Sequence, residues 1–177
     1  MGTVARKDVR PKLVIELVPH VDAGDRGAWR GDQDERPLSD FGKQQAEALR
    51  DALLDSPVDG LFASPALRCR MTLDPLAEAT GLEIETIAAL AEERPGEVHG
   101  AMRVRGEAGL REIALRQPEG RVVACSHGDL IPVVGQQMAR SLGIDLPLLA
   151  HRGQRYRITI GEGFERIEMR GAPDFPL

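Results

Sequence analysis

Aromatic residues are nearly missing from this chain, which has one Trp, one Tyr and four Phe in 177 residues. A core must therefore rest on Leu, Val, Ile and Ala. Cysteine is as scarce: Cys69 and Cys125 form neither a metal-type pair nor a disulfide framework. The apolar stretch behind the basic N-terminus, Leu13 to Val18, is short and broken by Glu16. That excludes a signal peptide and a membrane span, and with so few cysteines it points to the cytoplasm. There is no long basic block either. A formal net charge of −5 argues against a nucleic-acid partner while leaving room for a local basic pocket.

What is present is an ordinary globular composition, 42% hydrophobic and 29% charged, long enough for one domain with a real core. Residues 1–177 read as that single domain, with 1–11 as a flexible N-terminal tail. There is no internal repeat and no low-complexity linker. Short apolar runs at 12–18, 60–64, 83–87 and 121–126 read as strands, and segments with helical spacing lie between them. Ser39 is the N-cap of one helix, in which Ala46, Leu49 and Leu53 share a face. A second helix runs to Gly81, with Pro75 expected to kink or split it. Residues 106–117 and 129–143 supply two more. Strands alternating with helices imply a mainly parallel central sheet with helices on both faces, a three-layer α/β sandwich. The C-terminal "RYRITI-GEG-FERIEM" reads as an antiparallel hairpin at the sheet edge.

In open α/β sheets, ligands bind beyond the carboxyl ends of the strands. The first strand ends in "LVPHVDAGDR", which delivers His20; the second leads into "SPALRCR", with Arg68 and Arg70; the fourth ends in "SHGD", with His127. Arg68 and His127 lie near helix starts, where free N–H groups favour an anion. Two imidazoles, an arginine and helix N-termini suit a tetrahedral phosphate, with one imidazole as nucleophile. The alternative is a metal site, since His20 and Asp22, like His127 and Asp129, form His-x-Asp pairs. Asp129 is better explained as a helix cap, and no metal or other cofactor is expected. His99 and His151 have no identifiable partner and read as surface residues.

These motifs resemble the histidine phosphatase superfamily, which contains the phosphoglycerate mutases and the small phosphohistidine phosphatases. "LVPHVDAGDR" is similar to its Leu-Val-Arg-His-Gly/Ala motif and "RPLSDFGKQQAEAL" to its Arg-Pro-Leu-Thr-x-x-Gly-x-x-Gln-Ala helix start. "ASPALRCRMTLDPLAEATGL" resembles Ser-Ser-Pro-x-x-Arg-Ala-x-Gln-Thr, and "VVACSHGDLIPVV" the second-histidine motif. The resemblance implies a phosphoglycerate mutase-like fold and, closest to the small members, hydrolysis of a small phosphorylated molecule. It makes His20 the nucleophile, Arg68 a phosphate-binding arginine, His127 the second pocket histidine and Glu92 the proton donor, with the adjacent Glu93 as alternative. Arg26 falls where many members have a phosphate-contacting asparagine. Only the segment from about Leu90 to Arg105 offers a cover for the substrate, which favours hydrolysis over mutase activity.

One position departs at the centre of the site. The arginine of the first motif, which grips the phosphate, is Pro19 here. Proline has neither a guanidinium nor an N–H. Losing one preorganised donor typically costs about 10²–10³ in rate. Three readings follow: a phosphatase in which Arg26 or Arg30 supplies the missing charge, a phosphate-binding module without useful turnover, or an enzyme that reuses the two histidines on a less anionic substrate.

Overall fold

The computed structural model describes residues 11–175. Most of the expected N-terminal tail lies outside the described residues, and Pro11 already opens the first strand. The elements are β1 (Pro11–Pro19), α1 (Asp40–Leu53), β2 (Gly60–Ala63), α2 (Leu67–Thr80), β3 (Ile84–Thr86), α3 (His99–Arg116), β4 (Gly120–Ser126), α4 (Leu130–Leu142), β5 (Arg155–Gly161) and β6 (Phe164–Arg170). They form one sheet of order β3-β2-β4-β1-β5-β6. The β1–β4, β2–β3 and β2–β4 pairs are parallel. β5 and β6 add the antiparallel C-terminal hairpin beside β1.

Period-two alternation in β1 divides the core between two faces. Leu13, Ile15 and Leu17 point to the side covered by α3 and α4, where they meet Met102, Ile113, Leu130, Ile131 and Val134. Val18 points to the other side, with Ala46, Leu49 and Leu53 of α1 and Cys69, Leu73 and Leu76 of α2. The result is the three-layer sandwich read from the sequence, with Tyr156 and Phe62 as its largest buried aromatics.

Two helices differ from expectation. α2 runs unbroken through Pro75. The carbonyl that proline leaves without its helical partner is that of Met71, a partly buried residue packed on the α1/α2 core. Meanwhile the buried face of Cys69, Thr72, Leu73 and Leu76 holds the helix in place. α3 begins at His99, well before the residues whose spacing suggested it. Its cap residue is Val98, which makes no side-chain cap bond, so no start signal was available. Instead Arg105 fastens the early turns, donating to the carbonyls of Ala89 and Ala91 and to Glu97. The segment read as a cover is thus half helix, and only 91–98 is open loop.

Candidate active site

β1 and β4 are parallel neighbours in which Pro19 is level with Ser126. The next residue of each strand is a histidine. The ladder holds one step further, because the His20 N–H donates to the Ser126 carbonyl at 2.9 Å. Pairing of β1 with β5 has already ended at Leu17, so a proline at position 19 breaks no bond on that side. The register brings the two rings together, with centroids 5.5 Å apart and planes at 70°.

His20 Nδ1 lies 2.7 Å from the Val21 carbonyl oxygen. A carbonyl only accepts, so Nδ1 carries the proton and Nε2 of the neutral ring keeps its lone pair. Burial is the main cause that lowers the pKa of His20 from 6.5 to about 4; the Val21 carbonyl opposes it, and the neighbouring His127 and the charges of Arg68 and Arg152 add to it. The ring is neutral at neutral pH.

The loop behind His20 is pinned at successive residues. Val21 N–H donates to Thr72 Oγ1 at 3.2 Å and Asp22 N–H to Gln45 Oε1 at 2.9 Å. The Ser39 hydroxyl donates to the Asp22 carboxylate, and this bond is the main cause that holds the Asp22 pKa below its usual range. Arg36 donates to the Ala23 carbonyl at 2.6 Å. α1 reaches the loop because Gly42 has no side chain: a Cβ there would stand 1.9 Å from the Asp22 carbonyl oxygen.

Beneath the rings lies Arg68, fully buried. It donates to the Gln33 carbonyl at 2.6 Å and to Glu92 Oε2 at 3.1 Å, and one terminal nitrogen lies 3.3 Å from His127 Nδ1. Its Nε–H has no partner among the described residues, a buried donor that calls for an acceptor. A guanidinium only donates, so His127 Nδ1 accepts. The opposite nitrogen, 2.8 Å from Ser64 Oγ, then carries the ring proton. Both nitrogens of His127 are engaged. For this ring to donate to a phosphoryl oxygen from Nδ1, Arg68 must move to the substrate and Nδ1 must gain a proton.

Glu92 binds two guanidiniums, Arg68 through Oε2 and Arg26 through Oε1 at 2.7 Å. Glu93 is exposed and touches this region through its backbone, donating to Asp129 Oδ2 at 2.8 Å. Asp129 also caps α4, accepting from Leu130 N–H. The structure thus assembles His20, His127, Arg68, Glu92 and Arg26. Arg30 is not brought in: it is exposed, makes no hydrogen bond or ion pair among the described residues, and lines neither cavity beside the histidines.

Those cavities flank the site. One, of about 730 Å³, is lined by Arg26, Gln33, Glu92, Glu93, Arg94 and Asp129 among others. The other, of about 390 Å³, holds His20 itself with Pro19, Gly128, Leu149, His151 and Arg152. A separate cavity of about 570 Å³ between α3, α4 and the sheet contains neither histidine. Among the described residues, no three His, Cys, Asp or Glu side chains are grouped to hold a metal ion. Among the same residues, no helix is long and apolar enough to cross a membrane.

Sequence reasoning missed the positioning residues Arg36, Gln45, Ser64 and Thr72. All four lie inside stretches whose pattern was recognised, but their hydrogen bonds arise only when α1 and α2 pack beside β1. It also missed Arg152, which lies in an irregular loop with no motif around it; the neighbouring His151 is exposed, as read from the sequence.

Comparison with known proteins agrees with this geometry. A sequence profile of the histidine phosphatase superfamily (branch 1) matches residues 21–103. The chain is 37% identical over 127 residues to an 8-oxo-(d)GTP phosphatase of Mycolicibacterium smegmatis, a match that takes in 72% of this chain and 37% of that protein. The chain therefore spans little more than a third of its curated relative's length. A phosphoglycerate mutase from Bacillus anthracis has a similar fold, with a TM-score of 0.76 at 16% identity, covering 92% of this chain and 94% of the other. A mycobacterial glucosyl-3-phosphoglycerate phosphatase in complex with VO3 gives 0.69 at 18% identity, covering 92% and 100%. At such identities these structures speak for the fold alone.

Proposed function

From the match of residues 21–103 to the histidine phosphatase superfamily we propose that the chain is a member of it, a phosphatase working through a phosphohistidine on His20. The observation that carries this reading is the tautomer of His20. Its Nδ1–H is spent on the Val21 carbonyl and burial keeps the ring neutral, so an Nε2 lone pair is present at neutral pH without a separate base.

In this scheme Nε2 attacks phosphorus and the P–O bond to the leaving group breaks. Arg68 and Arg26 turn from Glu92 onto the phosphoryl oxygens. Glu92, relieved of both guanidiniums, takes up a proton and passes it to the leaving oxygen. Water then attacks phosphorus and gives a proton to the Glu92 carboxylate as the P–N bond breaks, releasing phosphate and restoring His20. His127 holds Arg68 in the resting state and donates to a phosphoryl oxygen once protonated. Every step uses protein side chains and water, with no cofactor.

The substrate class is a small phosphorylated molecule. The relative's action on 8-oxo-(d)GTP puts nucleotides first in a panel that includes p-nitrophenyl phosphate and sugar phosphates. Turnover by the native protein and its loss in His20→Ala are expected. Equal activity in the two proteins contradicts the proposal, and so does a native protein inert on the whole panel. Pro19 favours one second reading, a phosphate-binding module with little turnover. An inert native protein whose Pro19→Arg variant gains activity would select it.

A further inference from the structure

We propose that Arg152, from the loop between α4 and β5, supplies the phosphate-gripping charge that Pro19 lacks. The inference rests on the phosphate-handling reading of the site. The first-motif arginine would have projected beside His20 from the end of β1. In this chain the cavity at that place is lined by Pro19, His20 and Gly128 on one side and by Leu149, His151 and Arg152 on the other. A cation is therefore present at the gap, delivered from a different element.

The other two candidates are placed elsewhere. Arg26 lines the opposite cavity and is held by Glu92, and Arg30 lines neither. Arg152 is instead tethered to the catalytic loop. Its guanidinium lies 3.4 Å from Asp22 Oδ1, and about half of its side chain is open to solvent (46%), so an anion can reach it. Its charge also acts on His20, adding to the lowering of that ring's pKa.

The loop that carries Arg152 is built to hold a position. Gln154 Oε1 accepts from the N–H groups of both Ala150 and His151, at 2.7 and 2.9 Å, and closes a turn around Arg152. The next residue, Gly153, has φ +81°, and a Cβ there would meet Phe175 at 2.4 Å and Pro173 at 2.9 Å. The end of the described chain therefore seats on Gly153, immediately after Arg152, and Phe175 in turn packs on the α1/α2 core. A free surface arginine needs no such support. A phosphate dianion beside His20 would draw the guanidinium from Asp22, exchanging one carboxylate for a doubly charged acceptor.

The test measures the affinity for inorganic phosphate by calorimetry, in the native protein and in Arg152→Ala, Arg26→Ala, Arg30→Ala and Arg152→Ala with Pro19→Arg. Melting temperatures are recorded for each. The inference predicts that Arg152→Ala weakens phosphate binding by about 10- to 100-fold, the loss expected for one charged hydrogen bond. Arg30→Ala binds as the native protein does, and Pro19→Arg restores most of what Arg152→Ala loses. Unchanged affinity in a folded Arg152→Ala overturns the inference, whether or not the protein turns over. So does a loss that Pro19→Arg fails to recover, which would mark the residue as a structural partner of Asp22. Calorimetry also separates the two proposals. If phosphate binds through Arg152 while no phosphoester is hydrolysed, the phosphatase reading falls and this one stands. If the native protein binds no phosphate, both fall.

Discussion

The chemistry of this site is decided by which nitrogen of His20 carries its proton. With Nδ1 committed to Val21 and the pKa lowered to about 4, chiefly by burial, protonation removes the nucleophile only in acid. The sign follows directly: above that value the ring is neutral and reactive, and below it the fraction of neutral ring falls about tenfold per pH unit. The acid limb of kcat/KM, corrected for ionisation of the substrate, is therefore expected near pH 4. A limb at 6.5 would show that the ring meets an ordinary solvated environment. Glu92 gives a second prediction at this scale. If it protonates the leaving oxygen, Glu92→Gln should cost about 10²–10⁴ in kcat on an alkyl phosphate. The same change should cost far less on p-nitrophenyl phosphate, whose leaving group needs little protonation. Equal losses on both would assign Glu92 to holding Arg68 and Arg26.

Among the elements, α1 is fastened by its N-terminus to the loop that presents His20. Ser39 N–H donates to the Asp22 carbonyl at 3.0 Å, and Gly42 lies directly against the same carbonyl. Gly42→Ala must push α1 off the loop or carry the clash, an overpacking that costs about 1–3 kcal/mol. The urea midpoint should fall accordingly and kcat/KM should fall with it; an unaltered midpoint would mean that the close approach is not maintained in solution. This element also shows how far sequence could be read. Ser39 as the cap and Ala46, Leu49 and Leu53 as the buried face follow from spacing alone, and so do the strands of β1 and β4 that carry both histidines at their carboxyl ends. The unbroken passage through Pro75 and the early start of α3 were not legible, because packing and Arg105 decide them rather than any local signal. Arg152 was hidden for the same reason. It stands 132 positions from His20 in the sequence, in a loop whose path is set by Gln154 and by Phe175 against Gly153.

The whole molecule is a sheet with reactive groups at the carboxyl ends of its two central strands and a buried charge cluster in its middle. Glu16 of β1 is fully buried. Its carboxylate accepts from Arg121 of β4 at 3.2 Å and from Arg155 of β5 at 3.0 Å, with Arg157 of β5 also bound. The cluster ties the parallel half of the sheet to the antiparallel hairpin, and Arg121 continues to the carbonyl of Leu53 at the end of α1. Removing Glu16 would take the carboxylate from Arg155 and Arg157 and leave Arg121 with the half-exposed Asp55 at 3.3 Å. Glu16→Ala should therefore lower stability by about 3–5 kcal/mol, the usual cost of breaking a buried pair from one side. A urea titration reads this directly, and a loss below 1 kcal/mol would show that water already reaches the cluster.

The central claim is that phosphorus becomes bonded to His20, and trapping that bond tests it most directly. The native protein would be mixed with a ³²P-labelled phosphoester at high enzyme concentration and quenched in alkali within milliseconds. The account predicts label on the protein that survives base, is lost in acid, maps to the peptide containing His20, and is absent from His20→Ala. Turnover with no labelled protein in the native enzyme, or label that persists in His20→Ala, would contradict it.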